Sequence, residues 1–446
     1  MSGAAAVADR ALAAAPAGDA LVHVTREGSL MLRFAGSRPT QATAVEDLTV
    51  EIAVVRDGHV GRAATNDDAS EALAACGRRA DASATAAARA VGAGPYPGFP
   101  QPAEYRQLGR DTTPPDPADG GRALATAFEV ADGTGVEAHG IWTAAEVETA
   151  VASASGTRVV ESVSDAFMKV ICIAPGGRSG YSATTARTAD GIQPARLAED
   201  ATRKATRRGE PAALPPGEYR VVLEHYAVGL LLDTLAITAF DGLAHAEGRG
   251  ALADRLGTAV ASPGVNLADS PRLEATLPRS FDAEGVPKAP LPLIQDGVAH
   301  RVVHDTRSAA VAGAVSTGHA RVPGGGPGPI PTNLVLIGGG AVDEDELCAP
   351  VELGVYVTRL WYANVIRQKE ALVTAVSRDG TFLIEEGRIT RPLADVRLTD
   401  SVLGILARTE ALTSRPGLAS EGEFYGRRFA SAVACPAIRA NGVSLS

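Results

Sequence analysis

"YRVVLEHYAVGLLLDTLAITAF", residues 219–240, decides how the second half of this chain is read. Its first six residues alternate as a strand does, and the rest is a helix that is apolar almost all the way round. A helix without a polar face is expected to be buried. Only Asp233, Thr234 and Thr238 break its surface. Three readings of them stay open on the residues alone: a reaction centre, a structural detail, or the remains of a reaction centre. The apolar stretch 227–240 is too short and too interrupted to span a bilayer.

Upstream, residues 5–15 read as an amphipathic helix. The stretches 21–38 and 47–67 alternate as strands, with a hairpin signal at Asp57-Gly58. Asn66 and Asp67 are placed to cap a helix running to about residue 90. A Pro/Gly/Asp-rich loop covers 95–122, strands dominate 157–184, and a charged helix over 195–210 stops before Pro211. The turn "LPPGEYR" (214–220) marks a domain boundary, giving 1–212 and 213–446. Downstream come mostly strands, with hairpin signals at Asp296-Gly297 and Asp379-Gly380. The expected class is α+β: an N-terminal α/β-type sheet with helices, then a largely antiparallel β domain.

The 446 residues carry 42 basic and 52 acidic side chains with no Lys/Arg block, which argues against a nucleic-acid partner. Cys76, Cys172, Cys348 and Cys435 form no CxxC pair, so a reduced, cytoplasmic protein is expected. Asp9 and Arg10 interrupt what a signal peptide would keep apolar. HExxH, GxSxG and Walker motifs are absent. His300 and His304 sit in an alternating stretch, where residues four apart are roughly 13 Å apart, too far for one metal. His245 and Glu247 read as a turn or cap, and His225 as a side-chain cap for the apolar helix.

"RSFDAEGVPKAPLPLIQDGV" (279–298), "HDTRSAAVAGAVSTGHA" (304–320), "PTNLVL" (331–336), "GVYVTRLWYANVI" (354–366) and "SRDGTFLIEEGRI" (377–389) together resemble the TldD/PmbA family of peptidases. The similarity is strongest over 219–405, and "LWYANV" and "RDGTFLIE" are similar to the PmbA (TldE) side. The resemblance implies a TldD-type partner that carries HExxxH and a distant Cys as zinc ligands, with the Glu as acid/base. It also implies a heterodimer that admits unfolded peptide. Laid over 219–240, that motif falls on Asp233, Thr234 and Thr238. Residues 226–244 hold no His, so no small shift restores it. The family's metal Cys falls near Gly422–Tyr425, where there is none; Cys435 lies beyond it, beside Pro436.

A catalytic zinc needs three protein ligands and an open position. Asp233 offers one carboxylate, threonines are poor ligands, and no general base stands at 234. The resemblance therefore implies a non-catalytic TldE/PmbA-like subunit, with no metal of its own, that joins a zinc-bearing TldD-like chain around an extended peptide. No membrane or nucleic-acid partner is expected. The alternative is an active metallohydrolase with ligands rearranged among Asp233, His225, His245 and Glu247, acting on a peptide or small amide. A stand-alone binding protein is the third reading. Candidate contacts to peptide or partner are Asp305, Arg307, Thr317, His319, Asn333, Arg359, Trp361 and Asn364; a structural role is weighed beside each.

Overall fold

In the computed structural model, residues 3–108, 112–273, 276–420, 428 and 431–446 are described, and they build three sheets. The first contains β1 (Ala20–Ala35), β2 (Arg38–Arg56), β3 (His59–Thr65), β4 (Glu137–Ser153), β5 (Arg158–Ile173) and β6 (Ser179–Ala186). Their order is β3-β2-β1-β4-β5-β6, antiparallel throughout. Asp57 (φ 46°) and Gly58 (φ 73°) make the tight turn between β2 and β3.

Strand alternation gives this sheet two different faces. Val22 and Val24 on β1, with Ile52 and Val54 on β2, pack under α1 (Ala4–Ala14) and α2 (Ser70–Val91). Ala166, Met168, Val170 and Cys172 on β5 pack under α3 (Pro117–Thr134) and α4 (Pro194–Ala205). The residues between them, among them His23, Thr25, Glu161 and Asp165, point the other way and carry no helix. The cap of α2 differs from expectation. Ala69 is its N-cap residue, and Asp67 instead accepts the Ala69 N–H at 2.9 Å in the turn before it.

The second half runs β7 (Gly217–Leu223), α5 (His225–Thr238), α6 (Gly242–Ala246), β8 (Leu267–Asp269), β9 (Leu291–Gln295), β10 (Val298–Ala299), α7 (Thr306–Ala312), β11 (Leu334–Leu336) and α8 (Glu344–Cys348). It continues with β12 (Leu353–Arg367), β13 (Leu372–Glu385), β14 (Arg388–Pro392), β15 (Arg397–Ser401), α9 (Val402–Ala407), β16 (Thr409–Leu412), β17 (Gly417–Ala419), β18 (Val433–Cys435) and β19 (Ile438–Leu445). One sheet has the order β10-β9-β8-β11-β18-β17, the other β12-β7-β19-β15-β13-β14. Only the β7–β12 and β11–β18 pairs of these sheets are parallel among the described residues. The molecule is α+β, as expected.

The apolar helix α5 lies between the two C-terminal sheets. It packs on β7 and β12 on one side and on β17 and β18 on the other. Val228, Leu231, Leu232 and Leu235 share one core with Val355 and Val357 of β12 and with Leu267 and Leu334 of the other sheet. Two sheets therefore account for its apolar character. Gly229 is where β17 comes closest: a Cβ there would stand 2.2 Å from the Ala419 Cβ.

The Asp379-Gly380 pair is not a hairpin. Both residues lie inside β13, and the register against β12 shifts there, so they form a bulge. The turn out of β13 is made instead by Glu386 (φ 49°) and Gly387 (φ 78°). No described helix is long and apolar enough to cross a membrane.

Candidate functional site

The helix-free face of the first sheet looks onto the C-terminal half across a cleft. Two cavities line this cleft, of about 390 Å3 and about 310 Å3, and both have Arg321, Ile330, Thr332 and Arg428 in their walls. Between them stands Arg428. Its guanidinium grips Asp165 of β5 at 2.9 and 2.5 Å and gives a third bond to the Thr143 hydroxyl of β4 at 2.8 Å. Its backbone N–H reaches Glu27 of β1 at 3.0 Å.

The smaller cavity is the one that α5 faces, through Asp233, Ala236 and Ile237. Here the structure corrects the expectation of a fully buried helix. Asp233 is exposed, and so is Ile237 one turn on, at 52%. Burial of the Asp233 carboxylate is therefore not at issue. Thr234 and Thr238 are buried and turn away from the cleft. Their hydroxyls donate back along the helix, to the Leu230 carbonyl at 2.8 Å and the Thr234 carbonyl at 2.9 Å. Mid-helix threonines commonly satisfy themselves this way.

The described donors of this cavity do not by themselves make a zinc site. Its described lining contains the carboxylates of Asp165 and Asp233 and several hydroxyls, but no His and no Cys. Asp165 is already committed to Arg428. The Cys435 thiol is buried behind α5, where burial pushes its pKa well up, and it donates to the His225 carbonyl at 3.2 Å. Gly422–Tyr425, where the family's Cys was placed, lies outside the described residues.

The alternative ligand set is not gathered either. His225 and Asp233 are eight residues apart on α5, about 12 Å along its axis. Glu247 is exposed and paired with Arg249 at 2.6 Å. His225 does not cap the helix; it is half-buried against Gly417, and desolvation of its ring lowers its pKa to about 4. His300 is exposed outside β10, whereas His304 is buried beside Ser308 at 3.3 Å.

Of the eight candidate contacts, only His319 reaches a cleft cavity. Asp305 is buried as the N-cap of α7, in a reciprocal box with Ser308. Thr317 bonds the His304 N–H and carbonyl at 2.7 and 3.2 Å. Asn333 is buried and donates to the carbonyls of Thr276 and Leu277 at 2.8 and 3.1 Å. Arg307 is half-buried beside Gly325, and Asn364 is exposed and bonded to the Tyr362 carbonyl. Arg359 and Trp361 join the two halves instead. Arg359 pairs with Asp379 at 2.5 Å and lies 4.4 Å from the Tyr181 ring of β6 and 5.0 Å from Trp361.

The larger cleft cavity carries, beside His319, charges that the sequence reading did not single out. Glu161, Arg279, Asp282, Lys288 and His319 line it. Burial alone would raise the Asp269 carboxyl. Lys288 at 3.3 Å and His319 at 3.0 Å instead hold it well below the usual carboxylate range. Burial, and Lys288 nearby, lower His319 to about 4 against the pull of Asp269. Glu284, next to this cavity, is pushed up to about 7 by burial and then by Asp282. It accepts from the Tyr96 hydroxyl at 3.0 Å, the Gly324 N–H at 3.0 Å and Thr306. Asp282 is also raised by burial, although the N–H groups of Ala320, Val286 and Glu284 oppose the shift. The signal for this cluster was "FDAEGVPK" (281–288), a loop with two acids and a base around Gly285 (φ 77°).

A family model described as the PmbA/TldA metallopeptidase C-terminal domain matches residues 216–446, from the start of β7 through both C-terminal sheets. The chain belongs to the PmbA/TldD family. It is similar to the TldE of Thermococcus kodakarensis in fold, with a TM-score of 0.86 over 99% of both chains at 18% identity. Sequence relatives include a metalloprotease of Methanothermobacter thermautotrophicus, 26% identical over 47% of this chain and 46% of that protein. Another is a metalloprotease TldD homolog of Haemophilus influenzae, 26% identical over 54% of this chain and 50% of that protein. The chain spans about half the length of these curated relatives. In this PmbA/TldD chain the matched segment supplies α5 and one wall of the cleft, and the first sheet supplies the other.

Proposed function

We propose that this chain is the non-catalytic, TldE/PmbA-like member of a two-chain metallopeptidase. It pairs with a TldD-like zinc subunit and contributes walls to a chamber that takes unfolded or modified peptides. The observation that carries this reading is the cleft face of α5, which offers Asp233, Ala236 and Ile237 with no His or Cys in the described lining beside them. Three zinc ligands and a base have no counterpart among the described residues there, so this reading assigns no hydrolytic step to this chain.

Two further observations fit. The two adjoining cavities of the cleft mix polar and apolar walls, as suits a chain of amides and side chains. Among the described residues the outer half of β12 pairs with β13 alone, since β7 reaches only Gly354–Val357. That half exposes Tyr362 at 74%, with Val365 and Ile366. Exposed apolar side chains beside an open strand edge suit a protein partner. A cytoplasmic location is part of this reading, in keeping with four buried free thiols.

The test is co-expression with a TldD-like chain carrying an intact HExxxH. The two should co-purify, and zinc should follow the partner, with none held by this chain when it is purified alone. One zinc per chain in the isolated protein, lost in Asp233→Ala, would overturn the reading.

A further inference from the structure

A third cavity, about 570 Å3, lies outside the cleft. Strands β6 and β17 are the partition. Thr185 and Ala419 face the smaller cleft cavity, while their neighbours Thr184 and Leu418 face this one. The two cavities share no lining residue.

Its walls carry opposite charges. One wall is a stripe of α4, on which Arg196, Asp200, Arg203 and Lys204 follow at helical spacing, with Arg207 just beyond the helix end. Facing it from the C-terminal half are Glu344 and Asp345. Most of these charges are already matched. Lys204 reaches both Glu224 oxygens at 2.8 Å and the Tyr181 carbonyl at 3.0 Å, and the Tyr356 hydroxyl gives Glu224 a further bond at 3.0 Å. Arg203 pairs with Asp200 at 3.0 Å, and Arg207 donates to the Ile389 carbonyl at 2.7 Å.

The exposed Arg196 on one wall, and Glu344 with Asp345 on the other, are left without an ion pair among the described residues. Glu344 is half-buried, and its burial, then the nearby Glu224, raise its pKa against the opposing pull of Lys204, so its charged form is only partly compensated. An incoming ammonium would supply the rest. An incoming carboxylate would meet Arg196, with Arg203 one helical stripe away.

We propose that this cavity binds a short peptide or free amino acid by its two charged ends, with the carboxylate toward Arg196 and the ammonium against Glu344. About 570 Å3 is within the range of small-ligand sites and accommodates two or three residues. The site is independent of the cleft and of any metal, since its charges come from α4 and from the segment around α8. In a peptidase complex it would sense short, free-ended fragments of the kind that cleavage releases.

Calorimetric titration of the full chain with trialanine tests this, beside trialanine acetylated at its N-terminus, amidated at its C-terminus, or both. Free trialanine should bind, and capping either end should weaken it at least tenfold. Glu344→Gln should weaken the free peptide at least tenfold but leave the N-acetylated one unchanged. Arg196→Gln should do the same with respect to the C-amidated one. Asp233→Asn, in the cleft, should change neither. No binding, equal binding of free and doubly capped peptide, or sensitivity to Asp233→Asn alone would each overturn the proposal. The last result would place the peptide in the cleft and leave the proposed subunit role standing.

Discussion

Arg428 and Asp165, 263 positions apart in the chain, meet in a two-pronged ion pair at the centre of the cleft, Nε to Oδ1 at 2.9 Å and Nη2 to Oδ2 at 2.5 Å. Both side chains are less than a tenth exposed. Removing one partner of a buried pair strands the other charge, at about 3–5 kcal/mol. Arg428→Ala should therefore lower stability by roughly that much in urea unfolding. Arg428→Met with Asp165→Leu should recover most of it, because no lone charge remains. A loss below about 1 kcal/mol in the single variant would mean that the pair does not hold the two halves together.

Gly229 gives a test with a reversed sign. Replacing a mid-helix glycine by alanine ordinarily adds about 1 kcal/mol. Here the new Cβ would meet Ala419 at 2.2 Å, with β17 fixed in a sheet behind it. Gly229→Ala should destabilise by about 1–3 kcal/mol instead. A raised urea midpoint would contradict the packing of α5 against β17.

Asp379 ties the halves at a second point. The bulge in β13 aims its carboxylate at the Arg359 guanidinium of β12 and at the Ser179 hydroxyl of β6, the latter at 2.6 Å. Asp379→Ala should cost about 3 kcal/mol in thermal or urea unfolding. Asp379→Asn should cost less, since an amide still accepts from Ser179. Equal effects from the two would show that the Ser179 bond adds nothing.

Glu284 should give stability an unusual pH dependence. Its folded pKa of about 7 lies above the unfolded value of about 4.3. The native state therefore holds the proton more tightly, and the stability it contributes is present below about pH 4.3 and is lost as pH rises to about 7. His225 and His319, lowered to about 4, act oppositely: their contribution is lost as pH falls from about 6.5 toward 4. The wild-type curve superimposes the two. Glu284→Gln removes the first and relieves Asp282 beside it in the same direction, so the difference between variant and wild type should grow from pH 4.5 to 7 in the variant's favour. A flat difference would contradict the raised pKa.

Local pattern carried much of this fold. Alternation in 21–38 and 47–67 reported the first sheet, and the all-round apolar surface of 225–238 reported a helix held between layers. The open face of that helix was hidden, because Asp233 and Ile237, one polar and one apolar, share it. Asp57-Gly58 and Asp296-Gly297 turned as their residues suggested, whereas Asp379-Gly380 became a bulge because β12 pairs on both sides of it. The site was the less legible part. Arg428 with Asp165, and Glu284 with Tyr96, are meetings across 263 and 188 positions that no local spacing announces. Asp305, Asn333 and Arg359 stood out as polar residues in family-like stretches, yet they serve a cap, a buried turn and a junction between halves.

The central claim is that this chain shapes a peptidase chamber without performing the cleavage. The most direct measurement is turnover of an unfolded peptide by this chain alone, by a TldD-like partner alone, and by the two mixed at equal concentration. Turnover should be absent with this chain alone, and it should appear or rise at least tenfold on mixing. Changing the Glu of the partner's HExxxH to Gln should abolish it, whereas Asp233→Asn here should leave it measurable. Metal-dependent turnover by this chain alone, abolished by Asp233→Asn, would contradict the account.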